Sequence, residues 1–382
     1  LYFELYEKQK LVRNSVRAFS EDILGPMAPI ADRDAIFSWD VVKQLSKINA
    51  WGIQLPEKYG GADLDSISYA ITIEEISRIC GSTGLGLTVH NSVGAYPILK
   101  WGTEDQKERF LHDIASGKKI TGFTWTEPNA GSDAGGIECM AIEDGNDYIL
   151  NGSKIFVTNG GVASVLLVGT KYKKENGETG MATMLVEKSM DGYEIGKEED
   201  KMGVRGNLTT SLYFNNVRVP KENILGKISS GFKIAMHTLD VGRIGIAAQA
   251  LGIAQAAYEK SIEYAKGRVQ FKKPISSFQG VSFKLAEMAT KVDAARLLVY
   301  RAAHAKDTKE RFSKESAMCK YYTAEIAKKV TMEAIQIHGG YGYIKDLPVE
   351  RYHRDAVVTS IYEGTTEIMK LIISQQILKG NM

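Results

Sequence analysis

Apolar residues recur at helical spacing through the first 120 residues. Leu11, Val12, Val16 and Phe19 share one predicted helical face, and residues 21–24 continue it. Val41, Val42, Leu45 and Ile48 repeat the spacing, and further helices are predicted over 69–80 and 106–116. The Gly-rich segment 55–62 punctuates two of them. The texture changes near Ile120. Asp144-Gly145, Asn151-Gly152 and Asn176-Gly177 are hairpin signals, because Gly accepts the positive φ such turns need. Short β-rich runs lie among them at 148–150, 154–157, 165–168, 181–186, 211–214 and 217–219. They predict a small antiparallel β-domain. Helix returns at Gly231. Leu285, Met288, Val292, Ala295, Val299 and Ala302 are spaced 3, 4, 3, 4, 3, the seam of an antiparallel helical bundle. The predicted order is a helical domain (1–120), a β-domain (121–226) and a second helical domain (227–382).

Composition narrows the function classes. With 382 residues and about 150 per domain, two to three domains are expected. Lys plus Arg number 48 against 46 Asp plus Glu, a net charge of +2 that argues against a nucleic-acid or membrane-surface protein. Cys80, Cys139 and Cys319 form no CxxC, which excludes a disulfide framework and the commonest zinc patterns and points to a reducing, intracellular compartment. The six histidines are scattered, so no metal site is predicted. The charged start, 1–10, lacks the apolar core of a secretory signal, although a leader removed upstream stays open. The apolar stretch 244–258 is interrupted by Gln249 and Gln255 and reads as a buried helix. No GxGxxG follows a strand, and no P-loop, HExxH or GxSxG occurs.

Four segments look unusual for plain packing. Thr124-Trp-Thr-Glu-Pro-Asn-Ala-Gly-Ser-Asp-Ala-Gly-Gly136 is a polar Gly loop whose amides and hydroxyls suit phosphate, or simply an interdomain loop. Phe156-Val-Thr-Asn-Gly-Gly161 puts an aromatic ring and a hydroxyl at a strand end, where they suit a planar cofactor or merely end a strand. Gln336-Ile-His-Gly-Gly-Tyr-Gly-Tyr343 permits close backbone approach at Gly339 and Gly340, or supplies a helix C-cap. In Ser360-Ile-Tyr-Glu-Gly-Thr-Thr-Glu367, Ser360 and Glu363 fit a capping box. The same Glu363, flanked by Ile361, Tyr362 and Gly364, also fits a desolvated general base.

Together, and in this order, these segments resemble the flavin-dependent acyl-CoA dehydrogenases. Lys201-Met-Gly-Val-Arg-Gly206 belongs to the same resemblance, and 239–252 is most similar to the short-chain, butyryl-CoA subgroup. The resemblance covers essentially the whole chain. It implies a mainly α fold with a central β domain: an N-terminal helical domain, a middle antiparallel β-barrel-like domain and a C-terminal four-helix bundle. It implies FAD as cofactor, an acyl-CoA substrate, electron transfer to an electron-transferring flavoprotein, and a homotetramer built as a dimer of dimers. It implies no nucleic acid or membrane partner, and a cytoplasmic location, or an organelle matrix if a leader was removed. Glu363 matches the catalytic base, and Gly364 leaves room for the thioester. Phe123, Trp125, Thr126, Phe156 and Thr158 match the flavin side, with Phe156 where the family often has Trp. Ser132 matches a residue near the pyrophosphate and the CoA chain. Arg268, Gln270, Phe271 and Gln279 match the stretch that reaches FAD in a partner subunit. Gln336, Gly339 and Gly340 match the adenine side, and Thr365 and Glu367 the pyrophosphate side. Asp240 and Arg243 match a substrate-side turn, or form a structural ion pair.

The sequence departs from the family in two places that matter. Phe271-Lys272 replaces a frequent Phe-Gly, and Trp125 is large for a position near the flavin, where it would reshape the acyl cavity or stack on the ring. The implied reaction is dehydrogenation of a short acyl-CoA to its trans-2-enoyl-CoA. Branched, cyclic or aryl acyl groups, or enoyl-CoA reduction, remain alternatives on the same fold. A flavin oxidase or monooxygenase and a DNA-binding relative are more distant ones.

Overall fold

The computed structural model describes residues 4–380. Seven helices come first: α1 (Glu7–Phe19), α2 (Gly25–Asp34), α3 (Trp39–Ser46), α4 (Ser66–Ile79), α5 (Gly81–Thr88), α6 (Tyr96–Trp101) and α7 (Glu104–Ala115). Their caps are legible in the residues. Ser38 accepts from Val41 N–H, Asp65 from Ser68 N–H, and Thr103 with Gln106 makes a capping box. Val16, Val41, Val42 and Leu45 are buried as their spacing predicts, whereas Leu11 and Ile48 stay exposed at the edges of their stripes. Between α5 and α6 the helix widens into a π-turn, Val89–Ala95, a local underwinding that often marks a site.

The middle sheet holds β1 (Thr121–Thr124), β2 (Met140–Asp144), β3 (Asp147–Thr158), β4 (Val165–Lys173), β5 (Thr179–Glu187), β6 (Tyr193–Glu198) and β7 (Thr209–Pro220). The strand order is β1-β4-β2-β3-β7-β6, with β5 added to β4. Most pairings are antiparallel, as expected, but β1–β4 and β2–β4 are parallel. The reason is that β1 and β2 are joined by the polar loop 125–139 rather than by a hairpin, which lets β4 enter between them. Asp144-Gly145 and Asn176-Gly177 do turn the chain between adjacent strands. Asn151-Gly152 does not. It lies inside β3, where the register shifts against β7 and Gly152 has φ +140°. A Cβ there would sit 2.8 Å from Cys139 Cα, so this glycine serves a bulge and a close approach.

The C-terminal part contains α8 (Gly231–Gly267), a small hairpin of β8 (Val269–Gln270) and β9 (Lys273–Pro274), α9 (Gln279–Thr308), α10 (Ser313–His338), α11 (Gly340–Tyr343), α12 (Val349–Val358) and α13 (Thr366–Leu378). Met288, Val292, Ala295, Val299 and Ala302 are buried along α9, as their seam predicts. The interrupted apolar stretch is the buried middle of α8. Among the described residues no helix is long and apolar enough to cross a membrane. One core joins α4 to the bundle, a second fills the sheet, and a third ties α7 to β4 and β5. The three cysteines are free and buried.

Candidate active site

Glu363 sits on the connection between α12 and α13. The capping box does not form. The Ser360 hydroxyl instead donates to Val357 O at 3.0 Å, and Thr365 caps α13 by accepting from Ile368 N–H. The physical reason is that the chain turns sharply before the helix starts. Glu363 has φ +51° and Gly364 φ +104°, and Thr366 N–H closes the loop on Ser360 O at 3.0 Å. A non-glycine residue at positive φ is strained and needs outside support. Two buried cations supply it. Arg243 Nε donates to Glu363 O at 3.3 Å, and Lys320 Nζ donates to Gly364 O at 2.5 Å. A Cβ on Gly364 would lie 2.5 Å from Met369 Cε, so this glycine serves the turn and the packing of α13.

The Glu363 side chain points inward. Both carboxylate oxygens are buried, with no hydrogen-bond partner among the described residues. They lie against Gly242, where an added Cβ would come within 2.0 Å of Oε2 and 2.7 Å of Val93 Cγ1 on the π-turn. Burial pushes the carboxyl pKa up to about 7, while the charges of Arg243 and Lys320 pull it down. The Tyr69 hydroxyl, also buried and unpartnered, has its pKa raised by burial and by the Glu363 charge. The neighbouring Tyr362 donates its hydroxyl to Gln249. A desolvated carboxylate free of partners, with a pKa near neutrality, is equipped to take a proton from carbon.

Asp240 and Arg243 form the structural ion pair that the sequence left open, at 2.5 Å and with both residues buried. Ser313 also donates to Asp240. Through its Nε, the pair reaches the backbone of Glu363 rather than standing apart from it.

The predicted flavin-side residues converge from two strands. Thr126 follows β1, and its carbonyl accepts from Ile155 N–H at 3.0 Å, which brings it beside the end of β3. There Phe156 occupies a bulge with φ +55° and is 62% exposed, while Thr158 pairs across to Thr209. An exposed aromatic ring on a strained bulge, beside two half-buried threonine hydroxyls, fits a planar cofactor. Phe123 is half-buried at the end of β1 and Ser132 is exposed in the polar loop.

Trp125 lies just after β1. Its indole is buried, donates Nε1–H to Ala134 O at 2.8 Å and stacks on Phe123. A Cβ on Gly169 would come within 2.0 Å of the ring. The side chain therefore braces the polar loop from inside. Buried Lys154 assists, donating to Trp125 O at 3.0 Å and to Glu127 at 2.6 Å.

The remaining candidates gather elsewhere. Arg268, Gln270, Gly339 and Gly340 line one groove of about 480 Å³, with Tyr264, His338 and Tyr341. The Arg268 guanidinium lies over the Tyr341 ring at 5.7 Å. The carbonyl of Gln336 accepts from Gly339 N–H, Phe271 projects into solvent, and Gln279 opens α9. Thr365 and Glu367 begin α13. From Gly242 to Gly267, 25 residues of α8 separate this groove from the Glu363 carboxylate, about 38 Å of helix at 1.5 Å per residue.

Sequence reasoning missed Lys320 and Tyr69. A signal for Lys320 exists: it interrupts a stripe of small residues, Ser316, Thr323 and Ala327, at buried positions of α10.

Comparisons with known proteins agree with this geometry. Residues 6–118, 122–217 and 229–378 match the family models described as the N-terminal, middle and C-terminal domains of acyl-CoA dehydrogenase. An "Acyl-CoA dehydrogenase" of Bacillus subtilis is 48% identical over 98% of this chain and 99% of that protein. A "3-(aryl)acrylate reductase" of Clostridium sporogenes is 45% identical over 98% and 99%. An "Acyl-CoA dehydrogenase, short-chain specific" of Clostridium acetobutylicum is 44% identical over 99% and 100%. The solved structure of butyryl-CoA dehydrogenase from Megasphaera elsdenii superposes with a TM-score of 0.96 at 42% identity, covering 99% of this chain and 100% of that one. Matched across all three of its parts, the chain belongs to the acyl-CoA dehydrogenase family of FAD-dependent oxidoreductases.

Proposed function

We propose that the protein dehydrogenates a short acyl-CoA thioester to the trans-2-enoyl-CoA. The carrying observation is the Glu363 carboxylate, buried, unpartnered and with its pKa raised to about 7. An α-proton beside a thioester is weakly acidic, so its removal needs a base matched to the working pH and donors for the charge that develops on the thioester oxygen. Glu363 takes that proton. Its own backbone N–H, which has no partner among the described residues, donates to the oxygen. Thr126, Phe156 and Thr158 would hold FAD, which would supply the acceptor for the β-hydride. Ser132 and the Asp240–Arg243 pair on α8 flank the path of the CoA chain.

Electrons pass on to an electron-transferring flavoprotein. The groove of Arg268, Gln270, Gly339 and Gly340, with Phe271 and Gln279 beside it, serves the FAD of a partner subunit. About 38 Å of helix from Glu363 is further than one extended FAD reaches, which supports this reading. Exposed Phe271, Phe283, Tyr343 and Leu378 on the C-terminal part support a homotetramer that covers them. The three buried free thiols suit a reducing compartment such as the cytoplasm. The domain limits 1–120, 121–226 and 227–382 are part of the same proposal.

The similarity to a 3-(aryl)acrylate reductase favours one second reading, reduction of an enoyl-CoA with an aryl or other bulky acyl group. An anaerobic absorbance titration with butyryl-, isobutyryl-, hexanoyl-, cyclohexanecarbonyl- and phenylpropionyl-CoA decides between them. Bleaching of the flavin by butyryl-CoA is expected. If only the matching enoyl-CoAs react, with dithionite-reduced enzyme, the second reading replaces the first. Glu363→Gln is expected to retain FAD and lose turnover; unchanged turnover overturns the base assignment.

A further inference from the structure

Lys320 is fully buried in the second turn of α10. An ammonium carries three donors, yet among the described residues its one acceptor is the Gly364 carbonyl, at 2.5 Å. A buried charge with a single neutral partner is costly unless another charge compensates it. The hydroxyls on its own helix, Ser316 and Thr323, are buried and unpaired and carry no charge. The nearest acids on that helix are already engaged: Glu315 by Lys309 at 2.6 Å, and Glu325 by Lys328 at 2.8 Å and by Thr366 at 2.9 Å. Across the interface, Asp240 on α8 is held by Arg243 and Ser313. The one carboxylate left for Lys320 is Glu363.

We propose that Lys320 is a positioning residue for Glu363: its ammonium clamps the Gly364 carbonyl, as Arg243 clamps the Glu363 carbonyl, and its charge stabilises the Glu363 carboxylate. This rests on Glu363 being the base. Two cations from two helices grip the two carbonyls on either side of Gly364. They hold both left-handed residues, and so aim the side chain at Gly242 while leaving the Glu363 N–H free. The groups facing Glu363 are then Arg243 from α8, Lys320 from α10, Tyr69 from α4 and Tyr362 on its own segment. The two cations alone favour its charged form. Burial and nearby Arg243 bring Lys320 itself down to about 7, while Glu363 acts the other way, so the pair shares one neutral-pH window.

The test uses the FAD-loaded enzyme with three variants. Lys320→Gln keeps a donor for the Gly364 carbonyl and removes the charge. Lys320→Met removes both, and Lys320→Arg keeps the charge. The acid limb of the kcat/KM–pH profile is expected to move up by about one pH unit in Gln and Met, and to stay near the parent's in Arg. The value of kcat at the plateau is expected to fall about tenfold further in Met than in Gln, from lost positioning. An infrared difference titration of the carboxyl band, with Glu363→Gln as its blank, reads the same shift without turnover. If that limb and that band stay with the parent in Gln and Met while FAD content and thermal unfolding also match, Lys320 has no such role. If Glu363→Gln is itself active, the base reading fails first, separately from Lys320.

Discussion

The Glu363 carboxylate occupies the space that a side chain on Gly242 would fill. A Cβ at 242 would lie 2.0 Å from Glu363 Oε2, closer than any non-bonded contact allows. The two residues are 121 positions apart and are joined by a backbone of unusual shape at one end and a missing side chain at the other.

Gly242→Ala therefore cannot coexist with Glu363 in its present rotamer. The carboxylate must swing off the α-carbon, and a displacement of about 1 Å costs on the order of 100-fold in rate. The expected result is a loss of that size in kcat for butyryl-CoA with FAD retained. A kcat within threefold of the parent would show that the base has room this structure does not reveal.

Glu363 also weakens the protein it serves. Burial raises its carboxyl pKa from 4.5 to about 7, so the folded state holds this proton more tightly than the unfolded chain does. Between those values stability falls as pH rises. Below pH 4.5 the effect vanishes, and above about 7 it is complete, at about 3 kcal/mol. Glu363→Gln removes the charge and keeps the shape. Its thermal unfolding midpoint is expected to exceed the parent's at pH 8 and to converge with it toward pH 4.5, which parallel melts at a series of pH values will show.

The residues explain how much of this was legible beforehand. A regular stripe, such as the α9 seam with Met288, Val292, Ala295, Val299 and Ala302 buried, follows from a local rule and is legible in the sequence. Asn151-Gly152 failed because a hairpin dipeptide and a bulge dipeptide share one composition. What separates them is whether a neighbour, here Cys139, approaches the missing side chain. Glu363 was visible as a base through its resemblance to a family, while its local pattern argued equally for a cap. Lys320 and Tyr69 were not singled out. Their importance comes from burial next to a residue far along the chain; the stripe of small residues around Lys320 marks it as unusual, but no local spacing points to Glu363.

Trp125 is legible as unusual, while its bracing contacts are not. Its indole N–H serves the Ala134 carbonyl, and its ring fills the hollow over Gly169. Trp125→Phe leaves that carbonyl without its donor, at a cost of about 1–3 kcal/mol. The loop carrying Thr126 and Ser132 should loosen. The expected outcome is weaker retention of FAD on dilution and gel filtration, with the order of preference among butyryl-, hexanoyl- and phenylpropionyl-CoA unchanged. A switch in that order would instead place the ring in the acyl cavity.

The hairpin of β8 and β9 turns through Phe271 at φ +50° and Lys272 at φ +64°. Both central residues of such a turn must be left-handed, which is why Gly is favoured there. A lysine bears a strain of about 1 kcal/mol from its Cβ in that conformation. Lys272→Gly is expected to raise the thermal unfolding midpoint of the FAD-loaded enzyme, because it relieves that strain without touching a buried contact. It should also sharpen the placement of Arg268 and Gln270, which flank the turn and line the groove beside Gly339. Tighter FAD retention should accompany the higher midpoint. An unchanged midpoint would mean that the turn is already relaxed by contacts outside this chain, as a partner subunit seated on the exposed Phe271 would provide.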